Sequence, residues 1–296
     1  MISGWVILDK PIGLSSTQVG TIVRRLIDPI KPSRVKLGHV GTLDPLASGV
    51  LPLAIGEATK LIPYFKTDTK TYEFEIAWGE KKDTGDLEGQ TVALSDKRPT
   101  HPEILSILPG FLGSIEQTPP VYSAIKIQGK RAYDYARSGV DVEMPKRIVS
   151  IFSLDLLETP DADHARFQVV CGKGTYVRSL AQDIAEKLGT FGYVSQLKRT
   201  QDGKFKLPDA IPLEKIQEMA HNKTIEQCIW PIGAVLDDIP AVSVSNTDRE
   251  KIRQGMKIPL DDHDDDQVIS ILYEGRVLAI GSVQSGYFHP KRVLHI

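Results

Sequence analysis

The stretch from Lys36 to Leu61 constrains this chain more than any other. Gly38, Gly41, Gly49 and Gly56, with Pro45 and Pro52, interrupt helix or strand every few residues, so the segment reads as loop. Loops ordinarily face solvent, yet Leu37, Val40, Leu43, Leu46, Val50, Leu51, Leu53 and Ile55 give this one the apolar content of a core. Asp44 is the only acidic residue between Asp28 and Glu57, and His39 lies shortly before it. An apolar, glycine-rich loop that presents one carboxylate and one imidazole reads as an active-site loop packed into a cleft. By itself Asp44-Pro45 also reads as a plain turn, with the carboxylate accepting local backbone N–H bonds. The apolar walls argue for more, because a carboxylate held there has a shifted pKa unless a cation meets it. That cation must come from elsewhere in the chain.

Around this segment the pattern is α+β. Residues 4–9 are a short apolar run ending in Asp9-Lys10-Pro11-Ile12-Gly13, read as a strand and a turn. Ser15 or Ser16 caps a helix whose stripe of Val19, Ile22, Val23 and Leu26 runs to the break at Asp28-Pro29. Gly56 to Phe65 reads as a short helix with Lys66 to Lys70 as its polar exit. Tyr72, Phe74, Ile76 and Trp78 then alternate with Glu73, Glu75 and Ala77, as a half-buried strand does. Asp83 to Asp86 is a turn, and Thr100 with Glu103 forms a capping box for a helix through Phe111. Two strands, 147–157 and 164–171, meet at Pro160 to Asp163; a helix follows, with Leu180, Ile184 and Leu188 on its buried stripe and Gly189 as its stop. Leu213 to Met219 suggests another helix, and Val235 to Pro240 a linker. Beyond it lie a strand at 241–245, a helix at 247–254 and a hairpin of 268–273 with 277–283 about Glu274-Gly275.

Composition excludes several classes of protein. With 296 residues and 41% hydrophobic content the chain holds a large domain and a small one. No apolar stretch reaches the ~18 residues of a membrane span, and the N-terminus lacks the pattern of a secretory signal, so a cytoplasmic protein is expected. Cys171 and Cys228 have neither disulfide-framework nor zinc spacing and read as reduced thiols. Asp261 to Asp266 lacks the glycine and the terminal glutamate of a calcium loop and reads as an exposed acidic turn. A net charge of −2 does not announce a nucleic-acid binder, although a neutral whole can carry a basic face. One segment has the right ingredients: Tyr122, Lys126, Lys130, Arg131, Tyr133, Tyr135 and Arg137 interleave cations for phosphate with rings for stacking on single-stranded RNA. Its plain alternative is a solvated amphipathic helix.

Several of these passages resemble one family. Gly38 to Leu51 is similar, nearly residue for residue, to the catalytic motif of the bacterial tRNA pseudouridine-55 synthases, the TruB family. Leu8 to Ser16 resembles the family's opening motif, Lys70-Thr71-Tyr72 its Lys-x-Tyr, Lys173 to Arg178 its Lys-Gly-Thr-Tyr-(Ile/Val)-Arg, and Leu197 to Thr200 its Leu-(Arg/Lys)-Arg-Thr; the Asp83 to Asp86 turn is also similar to a family signature. The resemblance implies a pseudouridine-synthase fold, a mixed and mainly antiparallel sheet flanked by helices over residues 1–236. It implies an RNA-binding insertion at about 120–146 and a small PUA-like β module at 237–296. The implied activity isomerises uridine-55 in the T-loop of tRNA: the base is flipped out, C1′–N1 breaks, the uracil turns, and C5 bonds to C1′. Asp44 is the implied catalyst, attacking C1′ or removing a 2′ proton, with Arg178 as the cation that keeps it ionised.

Tyr72 stacks on the extruded base in this reading, His39 packs beside it, and Tyr176 and Leu197 shape the pocket. Lys173, Lys126, Lys130 and Arg131 support the loop or contact RNA. No cofactor, metal or obligate protein partner is implied, and a monomer is expected. The bare residues leave two rivals, a non-catalytic RNA-binding protein and a glycoside hydrolase that needs a second carboxylate about 5–10 Å from the first.

Overall fold

Strand β1 (Gly4–Lys10) has two apolar faces, and each is the wall of a different core. Val6 and Leu8 belong to one core, Trp5 and Ile7 to the other, so burial on both sides explains an apolar run without alternation. The computed structural model describes residues 2–295 apart from 67, 124, 128 and 141; the side chain of Arg137, part of the basic and aromatic segment, also lies outside the described set. After β1 comes helix α1 (Ser16–Ile27), capped by Ser15 in a reciprocal box with Gln18, and it ends at Asp28 as expected.

The loop expected over 36–61 proves to be largely regular structure. Between strand β2 (Leu37–His39) and strand β3 (Ser48–Ile55) only 40–47 is loop, and Gly56–Tyr64 forms a 3₁₀ helix. Strand β3 runs antiparallel to β1 with Leu53 opposite Val6 and Leu51 opposite Leu8. Pro52 is tolerated because its carbonyl accepts from Val40 N at 3.0 Å, so the edge that lacks an N–H is the one facing away from β1. Gly49 has φ +99, and a Cβ there would stand 2.2 Å from the Arg199 carbonyl oxygen. Those breakers permit a crowded central strand here instead of preventing one.

Strand β4 (Thr69–Trp78) starts earlier than the alternation suggested, and Lys70, expected in a polar exit, is buried in it. Strands β5 (Glu80–Lys82) and β6 (Thr91–Leu94) pair as a side hairpin. The Thr100 and Glu103 box opens helix α2 (His101–Ile107), which tightens to 3₁₀ geometry over Leu108–Phe111 where Pro109 removes a donor. Beyond strand β7 (Gly113–Gln117), the basic and aromatic segment is a hairpin, β8 (Lys126–Ile127) with β9 (Lys130–Arg131), leading into the short helix α3 (Ala132–Arg137). The long antiparallel pair β10 (Arg147–Glu158) and β11 (His164–Gly172) follows, then helix α4 (Val177–Lys187).

Strand β12 (Gly192–Asp202) is the element the sequence left unassigned, and it sits at the centre. With strand β13 (Phe205–Lys206), strand β14 (Ile211–Pro212) and helix α5 (Leu213–His221) the first unit is complete. Among the described residues its sheet has ten strands, ordered β14, β1, β3, β12, β4, β11, β10, β7, with β2 added to β3 and β13 to β12. Pairing is antiparallel except for β1 with β14 and β3 with β12. Because β12 inserts between β3 and β4, Arg199 stands opposite Gly49 on one side and Tyr72 on the other. A residue near position 200 is thereby delivered to the loop near position 40.

The tail forms a second sheet, ordered β15 (Ala241–Ser243), β17 (Val268–Tyr273), β18 (Arg276–Gln284), β19 (Tyr287–Val293), β16 (Ile258–Pro259), with helix α6 (Asn246–Arg253) beside it. Glu274 and Gly275 turn the β17–β18 hairpin with φ of 50° and 72°, and Asp261 to Asp266 is an exposed turn. Val277, Ile280 and Leu294 of this unit pack with Trp5, Phe65 and Phe205 in the second core. Val235 and Leu236, expected to open a linker, are buried in the same seam, so the module is clamped at its entry. Cys171 and Cys228 are buried thiols, and no helix among the described residues is long and apolar enough to cross a membrane.

Candidate active site

The loop 40–47 is held from beneath by the turn that follows β1. Ser16 Oγ donates to the Leu43 carbonyl and accepts from the Leu43 N–H, both at 2.9 Å. Gly13 N donates to the Pro45 carbonyl at 2.8 Å, and Lys10 Nζ donates to the carbonyls of Pro11, Leu14 and Pro45. Lys10 is fully buried; desolvation brings its ammonium down to about 8, with the Asp44 charge opposing the shift. The stretch from Leu8 to Ser16 thus acts as the scaffold of the loop.

What the scaffold leaves free is the Asp44 carboxylate. It faces a cavity of about 280 Å³ whose lining includes Lys70, Tyr72, Tyr176, Arg178 and Leu197. Arg178, in the first turn of α4, puts Nη2 at 2.9 Å from Asp44 Oδ2; the guanidinium is buried while the carboxylate is 41% exposed toward the cavity. Arg178 also donates to the Thr84 carbonyl at 2.9 Å and the Tyr122 carbonyl at 3.0 Å, and its Nη1 stands 3.3 Å from Asp86 Oδ2. A guanidinium with acceptors in several directions has one orientation, and that orientation aims it at Asp44.

Asp86 is a residue that sequence reasoning missed. The turn 83–86 stood out as a turn similar to a family signature, with no role given to Asp86, yet that carboxylate is buried, accepting from Thr84 Oγ1 at 2.6 Å and Glu88 N at 3.1 Å. It lies outside the cavity lining, which carries Asp44 as its one carboxylate among the described residues. Two further omissions sit on the floor: Lys70 and Arg199 both line the cavity, and both pair with the buried carboxylate of Asp202. Arg199 reaches the loop itself, donating from Nε to the Val50 carbonyl at 2.7 Å and from Nη2 to the Gly41 carbonyl at 2.9 Å. Its place in the Leu197 to Thr200 motif was the only signal in the sequence.

The remaining expected residues divide into two groups. Tyr72 is 8% exposed against the cavity, and burial pushes its phenol up to about 12, so it stays neutral at ordinary pH. Tyr176 is locked by Gln117, whose side chain accepts from its N–H at 2.7 Å and donates to its carbonyl at 3.1 Å. Leu197 completes the wall from β12. His39 is not brought to the lining: it sits half-buried on β2, where desolvation and then the Arg199 charge lower its pKa, leaving a neutral imidazole. Lys173 is exposed in the turn before Tyr176, and Lys126, Lys130 and Arg131 are exposed on the β8–β9 hairpin. The hairpin still reaches the site through the backbone, since Tyr122 O accepts from Arg178 and Ser123 O accepts from Tyr133 N at 3.1 Å.

One carboxylate, clamped by a buried arginine beside a tyrosine wall, is an arrangement able to carry nucleophilic or acid–base chemistry. Residues 28–177 match the N-terminal domain of the TruB family pseudouridylate synthases, and residues 178–237 match the tRNA pseudouridylate synthase B C-terminal domain. The tRNA pseudouridine synthase B of Bradyrhizobium diazoefficiens is 45% identical over 303 residues, covering 100% of this chain and 86% of that protein. That of Caulobacter vibrioides is 42% identical over 305 residues, covering 100% and 97%. A chain from the crystal structure of a Cbf5-Nop10-Gar1 complex shares the fold, with TM-score 0.71, 22% identity and coverage of 99% of this chain and 84% of that one. This chain belongs to the TruB family of pseudouridylate synthases.

Proposed function

We propose that the chain isomerises uridine-55 in the T-loop of tRNA to pseudouridine, with Asp44 as its catalyst. The observation that carries this reading is the 2.9 Å pairing of Asp44 with buried Arg178 at the wall of a cavity that Tyr72 and Leu197 also line. The target base is stacked in its loop, so it must be extruded at a cost of a few kcal/mol, recovered by stacking and hydrogen bonds inside the cavity. Tyr72 supplies the stacking face, and Tyr176 and Leu197 bound the pocket that the uracil enters.

Asp44, paired with Arg178, meets the ribose at C1′ as nucleophile or at the 2′ proton as base. Either way the C1′–N1 bond breaks, and the uracil leaves C1′, turns in the pocket and rejoins through C5. His39, behind the loop, acts by packing it. The exposed Lys126, Lys130 and Arg131 offer the hairpin to phosphates, with Lys173 beside the cavity mouth. In this reading residues 1–236 are the catalytic domain, about 120–146 its RNA-binding insertion, and 237–296 an accessory module. Hydrolysis of a small glycoside is disfavoured, because among the described residues the lining carries no carboxylate besides Asp44.

Asp44→Asn keeps the size of the side chain and removes its charge. The folded variant is expected to form no pseudouridine in a tRNA transcript that the wild-type protein converts, with the product mapped by position. Turnover by the variant would end the assignment of Asp44, and wild-type product at a position other than 55 would correct the substrate.

A further inference from the structure

The floor of the cavity holds more positive charge than it has carboxylate to match. Lys70 lies two residues before Tyr72 on β4, on the same face, and Arg199 stands opposite Tyr72 on β12; both line the cavity. They share one anion, Asp202, which is fully buried. Arg199 Nη1 comes within 3.3 Å of Asp202 Oδ2 without a hydrogen-bond geometry, and both atoms are buried with no hydrogen-bond partner. Besides Asp202 and Arg199, the group whose charge bears on Lys70 is the Cys171 thiol, which burial pushes up to about 11 and so keeps neutral. Across the cavity the balance is reversed, with the two carboxylates of Asp44 and Asp86 on the one guanidinium of Arg178, so the floor sets its extra positive charge opposite the Asp44 wall, an arrangement that persists where function uses it. Arg199 braces the loop by its own bond to the Gly41 carbonyl, whereas the Lys70 ammonium, bonded to Asp202, takes no part in that bracing.

The chemistry has a use for that charge. When C1′–N1 breaks, its electron pair leaves with the base, giving a uracil anion with charge spread over N1, O2 and O4. The same anion then turns and bonds through C5, after which C5 gives up its proton and N1 takes one from solvent, so no atom is gained or lost. A cation fixed in a low-dielectric wall before the reaction stabilises charge where it develops, without reorganisation. We propose that Lys70, held with Arg199 over the single carboxylate of Asp202, stabilises the uracil anion as the glycosidic bond breaks. The inference rests on the pseudouridine synthase reading above.

The test is single-turnover breakage of the target C1′–N1 bond in two tRNA transcripts, one with uridine and one with 5-fluorouridine at the target position. Fluorine draws electrons from the ring, so this base carries the departing charge with less help. Lys70→Gln retains a donor for Asp202 and removes the charge. It is expected to slow the uridine reaction about 10²–10³-fold and the 5-fluorouridine reaction less than about 10-fold, with KM moving far less than kcat. Lys70→Arg restores the charge and is expected to recover most of the rate. If Lys70→Gln does not fold, as judged by its melting profile, Lys70→Met serves in its place, since Arg199 and Asp202 then balance one to one. Equal losses on the two transcripts, or no loss, overturn the proposal and leave Lys70 a brace. A wild-type protein that breaks the target C1′–N1 bond in neither transcript overturns the functional reading and this inference together.

Discussion

Gly41 offers the sharpest test of how the catalytic loop is held. It has φ +65, and a Cβ added there would lie 2.8 Å from Arg199 Nη1, 3.0 Å from Asp202 Oδ2 and 3.4 Å from Lys70 Nζ. Those atoms cannot step aside as a flexible surface side chain does. Arg199 is fully buried and tied by Nε to Val50 O and by Nη2 to the carbonyl of Gly41 itself. For Gly41→Ala the left-handed backbone alone costs about 1–2 kcal/mol. Displacing the guanidinium loses at least one charge-assisted hydrogen bond, about 1.5–3 kcal/mol more. The sum, about 2.5–5 kcal/mol, corresponds to a fall in melting temperature of about 5–15 °C for a chain of this size. Activity should fall further than stability, because Asp44 lies three positions on and a shift of about 1 Å at a reacting group costs about 10²-fold.

The control is Gly139→Ala. Gly139 has φ +69 and nothing within 4 Å of the added carbon, so it carries the backbone cost without the collision. Thermal melting and single-turnover kcat/KM on a tRNA transcript are measured for both. If Gly41→Ala melts no lower than Gly139→Ala and keeps its kcat/KM, the buried Arg199 does not set the loop, and the argument for this floor fails.

Two further outcomes are expected. Tyr72→Leu keeps an apolar wall and loses the ring, so tRNA affinity measured by filter binding should persist while most of the rate is lost; an unchanged rate would remove the stacking role. Lys10, held near 8 by burial, is a cation at pH 7 and loses its proton as pH rises through 8, loosening its hold on Pro45 next to Asp44. A pH–rate profile should therefore carry an alkaline limb near pH 8. The sign for stability is opposite: between about 8 and 10.5 the unfolded chain keeps a proton that the folded one has released, so Lys10 makes folding more favourable as pH rises through that window.

Much of the site was legible because the chemistry is carried by contiguous motifs. Asp44 stood out as a solitary acid among apolar residues, and the need to keep it charged demanded a cation that Arg178 supplies. The elements that could not be read are those whose signal is non-local. Residues 48–55 look like loop because Gly49 and Pro52 sit inside them, and only the crossing of β12 and the exit of β2 explain why both belong in a strand. Lys70 looked like a polar exit since a lysine's burial is invisible until Asp202 is placed beside it, 132 positions later. His39 was expected beside the base from its place in the motif, and it is not among the residues that line the cavity.

The sequence by itself determined the family, the α+β character and the pairing of Asp44 with Arg178, because each is written in local pattern or in a motif. Tertiary structure alone decided that Asp86 fixes Arg178, that Lys70, Arg199 and Asp202 form the floor, and that the tail is clamped to β1 through Trp5 and Leu236. The physical reason is that charge pairing and burial depend on distance in space. The insertion of β12 between β3 and β4 creates those distances, and no window along the chain contains it.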